Sequence, residues 1–94
     1  MKIEIYSEGF GIEKVEEVRE YSKDWEIEEI IRDILMERWN GIEEIKRGMG
    51  EVLGGDYSSL NDVVEEIIVE KESIDDGMGY RVDEERYLRI VEED

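Results

Sequence analysis

The sequence predicts an α+β fold in which two to three helices pack on a small antiparallel sheet with a C-terminal β-hairpin. Three observations carry this. Lys2-Ile3-Glu4-Ile5-Tyr6 alternates polar and apolar residues, the period of a half-buried strand. Two apolar stripes at helical spacing occupy the middle of the chain. Residues 80–91 alternate again, with Tyr80, Val82, Leu88 and Ile90 on one parity.

Each element follows from its residues. Ser7–Gly11 is glycine-rich and reads as a turn. Ile12–Tyr21 admits two periods: Ile12, Val15, Val18 and Tyr21 suit a helix, while Val15, Glu17, Arg19 and Tyr21 suit one face of a strand. A strand is favoured, because it pairs with the first as a hairpin. Asp24 is placed to cap a helix carrying Ile27, Ile30, Ile31, Ile34 and Leu35, stopped at Asn40-Gly41. Ile42, Ile45, Met49, Val52 and Leu53 form the second stripe, closed by Gly54-Gly55.

Ser59 and Asp62 are spaced as a capping box. Leu60, Val63, Val64, Ile67 and Ile68 follow with helical spacing, but the run Val63–Val69 is strongly β-branched. The expectation is a short helix that gives way to a strand near Ile67. Asp75–Gly79 reads as the turn before the C-terminal hairpin.

At 94 residues the chain fits a single domain. Its net charge of −17, from 29 acidic and 12 basic residues, argues against direct binding to nucleic acids or to anionic membranes, whose partners are basic. The natural complement is a basic protein or a cation. No run approaches the roughly 18–20 apolar residues of a membrane span, and Met1–Phe10 lacks the pattern of a signal peptide. The expected location is the cytoplasm, or a host's cytoplasm if the source is viral.

Six residue types never occur: Ala, Cys, His, Pro, Gln and Thr. All but Cys require a cytosine in every codon, so the coding strand is inferred to be extremely poor in cytosine. A natural thermophile or its virus, or construction from a reduced alphabet, would each produce this. Lack of His and Cys removes Ser-His-Asp and Cys-His catalysis and the usual zinc ligands.

Two motifs fail on inspection. Arg47–Gly55 is glycine-rich, but it lacks the third Gly of a dinucleotide loop and the Gly-Lys-Ser/Thr of a Walker loop. Aligning Gly77 with the glycine of a calcium loop puts Ile74 at a ligand position and Asp83 in place of the bidentate Glu. No metal, no cofactor and no enzymatic activity are expected.

Charge is unevenly spread. Residues 56–94 hold four basic and fourteen acidic side chains, more than half of the net excess. Asp75, Asp76, Asp83, Glu84, Glu85, Glu92 and Glu93 are the candidate partner-binding residues, placed on the C-terminal hairpin and tail. Same-face side chains along a strand repeat at roughly 6.6–6.8 Å, on the order of the phosphate spacing of a nucleic-acid strand. Trp25, Trp39, Tyr57, Tyr80 and Tyr87 are candidate anchors, since Trp and Tyr are enriched at interface hot spots.

The order of strand, helices and C-terminal hairpin resembles a winged-helix module, whose recognition helix would hold Ser59–Val69. Asp62, Glu65 and Glu66 would there repel phosphates. In size, charge and lack of catalytic residues the chain resembles the small acidic anti-CRISPR and anti-restriction proteins of phages and archaeal viruses. The resemblance implies a binding protein that blocks or regulates a basic, nucleic-acid-binding partner. A scaffold without a specific ligand is the alternative, and a small carboxylate enzyme or divalent-cation binder is the third.

Overall fold

Two antiparallel hairpins, one from each end of the chain, join edge to edge and support three helices on one face. The computed structural model describes residues 1–73 and 79–92. Along them run β1 (Lys2–Gly9), β2 (Ile12–Glu20), α1 (Ile27–Arg38), α2 (Ile42–Leu53), α3 (Leu60–Ser73), β3 (Tyr80–Arg81) and β4 (Arg86–Glu92). The sheet order is β2-β1-β4-β3, antiparallel throughout. The chain is therefore α+β, with three helices, a four-stranded sheet and the expected C-terminal hairpin among the described residues. No described helix is long and apolar enough to cross a membrane.

Residues 12–20 are a strand, as the hairpin argument favoured. Its faces differ from the parity read along the sequence. Ile5 pairs with Glu17, but Tyr6 pairs with Val15, so Glu16 is an extra, bulged residue. The bulge puts Val15 and Val18 on the opposite face from Glu17 and Arg19.

The core lies between the sheet and the helices. Ile3, Ile5 and Leu88 face Ile30, Ile31, Ile34 and Leu35 of α1, Ile45 and Met49 of α2, and Val63, Val64 and Ile67 of α3. All of these are buried, and no described polar or charged side chain is. Burial of each side chain contributes roughly 1.5–3 kcal/mol.

Three helix boundaries differ from expectation. Glu26, not Asp24, caps α1: its side chain and that of Glu29 satisfy each other's backbone N–H groups. The helix ends at Arg38 in an extended Trp39, and Gly41, at φ 102°, opens α2 rather than closing α1. The third element does not turn into a strand. Val63, Val64 and Ile67 fall on one helical stripe and are buried together, which overrides their β-branching and carries α3 to Ser73. Its start is as read: Ser59 Oγ accepts from the Asp62 N–H at 3.2 Å. Asp62 instead accepts from the Ser58 hydroxyl at 2.7 Å.

The glycine-rich stretch is structural. Gly48 lies in mid-helix beneath the Trp39 ring, where a Cβ would come within 2.1 Å of the indole. Gly54 then closes α2 in the left-handed conformation. The extended segment expected over residues 80–91 is interrupted: β3 has two residues and Val82–Glu85 form a turn.

Candidate partner-binding surface

The β3–β4 turn is built by Asp83. Its Oδ1 accepts from the backbone N–H groups of Glu85 at 2.9 Å and Arg86 at 2.8 Å. Its Oδ2 accepts from Arg86 Nη1 at 3.3 Å and lies 3.7 Å from Arg38 Nη1. An aspartate in this position makes an Asx turn, the local bonding that turns select. Asp83 is thus committed to the fold. Arg38, Trp39, Glu44, Asp83 and Arg86 line a shallow concavity of about 430 Å³ whose arginines already face Asp83 and, for Arg86, also Glu16.

The other sequence candidates divide. Glu84 and Glu85 are exposed at the turn. They belong to no strand, so the strand spacing compared with phosphates does not apply to Asp83, Glu84 and Glu85. Glu92 is exposed at the far end of β4, opposite Lys2. Six residue steps separate it from Arg86, roughly 20 Å along the strand. Asp75, Asp76 and Glu93 lie outside the described residues.

The aromatic candidates are packed. Trp25, Trp39, Tyr57 and Tyr80 are partly buried against the core, and Tyr87 stacks on Tyr6 with ring centroids 5.7 Å apart. Trp39 Nε1 donates to the Val82 carbonyl at 3.1 Å. The exposed aromatic is Phe10, which the sequence places only in a turn.

Phe10 and Gly11 form a two-residue loop between the paired residues Gly9 and Ile12. Both have positive φ, 55° and 76°, the geometry of a type I′ hairpin turn. Gly adopts it freely. An L-residue with a bulky side chain does so at a cost of roughly 1–2 kcal/mol, and Asn or Gly is the usual first residue. Phe10 nonetheless stands there with 107 % exposure, and Ile12 beside it is 70 % exposed. No sequence pattern flags this, because Phe is ordinarily read as a core residue.

The two turns meet at one end of the sheet. Ser7 pairs with both Lys14 and Arg86, so residues 83–85 leave the sheet beside Glu8 and Gly9. Two ion pairs reach across β1: Arg86 to Glu16 at 3.0 Å, and Arg89 to Glu13 at 2.9 Å. Arg19 joins β2 to α1 through Glu37, whose carboxyl it holds below the usual range. β2 is therefore held by its backbone ladder to β1 and by these ion pairs, since it buries almost no side chain.

These and similar pairs engage five of the seven arginines. Arg19, Arg38, Arg81, Arg86 and Arg89 each face a carboxylate. Glu8, Glu84 and Glu85 are among the many described carboxylates that face no such cation, and all three are exposed. No group of three or more described acidic side chains converges to hold a metal ion. No protein-family model matches this chain, and no curated protein or solved structure matches it significantly.

Proposed function

We propose that this protein is a non-enzymatic binder that occupies the basic surface of a nucleic-acid-binding protein and excludes the nucleic acid from it. The observation that supports the reading is a location: Glu8, Glu84 and Glu85, which no described cation pairs with, stand exposed together at one end of the sheet. Carboxylates so placed form charge-assisted hydrogen bonds with a partner's arginines and lysines. The net charge of −17 speeds the encounter with a basic protein and opposes any contact with phosphates.

The test is displacement, with protamine as the basic probe and a fluorescent single-stranded oligonucleotide bound to it. The protein is expected to release the oligonucleotide while not binding it alone. Glu84→Lys combined with Glu85→Lys is expected to weaken release by about threefold, the effect of two exposed charge contacts. Release by the reversed variant at the parent's concentration, or direct binding of the oligonucleotide by the parent, would contradict the reading.

A further inference from the structure

We infer that the β1–β2 tip is a docking plug: the Phe10 ring enters an aromatic-lined slot of the basic partner, while Glu8, Glu84 and Glu85 meet the cations around it. This rests on the charge reading above and adds an anchor and a partner class to it. Phe10 contributes nothing visible to the fold. It is fully exposed and occupies a left-handed position that Asn or Gly would fill without strain. A turn selected for stability or solubility alone would carry one of those. Such outliers persist where function holds them.

A second copy of the chain is a poor occupant. β2 is an edge strand, but Glu13, Lys14, Glu16, Glu17, Arg19 and Glu20 crowd it with charge, and the bulge at Glu16 breaks its edge. These are the devices that prevent edge-to-edge pairing. Two chains of net charge −17 also repel. The complementary occupant is a cationic surface with a place for a ring. Sites of that composition hold single-stranded nucleic acids, whose bases stack on aromatic side chains while cations follow the backbone. A planar apolar ring flanked by carboxylates presents the same two features, a face to stack and anions beside it. The partner class is therefore a single-strand-binding protein.

The test uses the full chain, Phe10→Asn, and two short synthetic peptides of equal charge, one alternating Arg and Trp, the other Arg and Gly. Fluorescence anisotropy at low salt reads the affinities. The parent is expected to prefer the Arg–Trp peptide by about tenfold, and Phe10→Asn to lose that preference while binding Arg–Gly unchanged. Because Asn suits the turn, the variant's thermal midpoint is expected to equal or exceed the parent's, which separates lost binding from lost folding. If Phe10→Asn binds both peptides as the parent does, the plug is wrong and the charge reading stands. If the parent binds neither peptide, the charge reading itself fails and the plug with it.

Discussion

The two hairpins use opposite kinds of side chain to hold themselves to the molecule. In β3–β4 the apolar residues point inward: Val82 and Leu88 are fully buried, and the turn is pinned by the carboxylate of Asp83. In β1–β2 only β1 enters the core. Beyond its backbone ladder to β1, β2 is tied by Arg19, Arg86 and Arg89 through Glu37, Glu16 and Glu13, and its apolar side chains Ile12, Val15 and Val18 remain exposed. An acidic residue in a turn is thus no sign of a partner site, and an apolar residue in a strand is no sign of core. What distinguishes them is whether the fold already uses the group.

The comparison breaks most easily at two contrasting positions, with Leu88→Ala and Val18→Ala. Leu88 fills a packed core, so its truncation is expected to cost about 3 kcal/mol. Val18 lies on the open face of β2, and its truncation is expected to stay within about 0.5 kcal/mol. Denaturant midpoints check both, and a cost of similar size at the two sites would mean that β2 is covered.

Asp83→Ala comes next. It removes two hydrogen bonds to backbone N–H groups and the pairs with Arg86 and Arg38. The expected loss is about 2 kcal/mol, or roughly 8–16 °C in thermal midpoint for a domain of this size. A reversal of Asp83 to Lys would suffer the same loss, so charge reversals aimed at binding belong at Glu84 and Glu85. An unchanged midpoint for Asp83→Ala would return Asp83 to the list of free surface acids.

Tyr6 joins the two hairpins, opposite Val15 on one side and Tyr87 on the other, and its hydroxyl accepts the Gly79 N–H at 2.8 Å. Burial pushes its pKa up, and the opposing pull of that N–H and of Arg89 is smaller. The folded state therefore favours the neutral phenol. The associated stability is present below the unfolded value near 10 and is lost as pH rises through the higher folded value. Tyr21 shifts the same way. Thermal midpoints are expected to fall as pH rises above about 10, and less steeply in Tyr6→Phe. Parallel decline of parent and variant would show that Tyr6 carries none of the effect.

Much of the fold was legible because its signals are local. The stripe of Ile30, Ile31, Ile34 and Leu35, the closure at Gly54 and the cap at Ser59 each declare themselves within a few residues. The misreadings came where distant contacts decide. Val63–Val69 carries β-branched residues in a helix because α2, α1 and the sheet bury one stripe of it. Val15 changed faces because of one bulged residue, Glu16, which no composition rule marks. Of the candidate site, Glu84 and Glu85 are exposed as expected, whereas Asp83 is bound into the turn and Glu92 lies at the other end of β4. Phe10 was hidden because its significance is conformational: only φ and exposure separate it from an ordinary core aromatic.

The central claim is that binding is confined to the end of the sheet where the two turns meet. Amide chemical-shift mapping of the full chain during titration with protamine tests it most directly. The shifts are expected to concentrate at Glu8–Glu13 and at Glu84–Glu85, and to diminish as salt is added. Shifts concentrated instead on the exposed acidic face of α3, at Glu65 and Glu72, or spread evenly over every acidic residue, would contradict it.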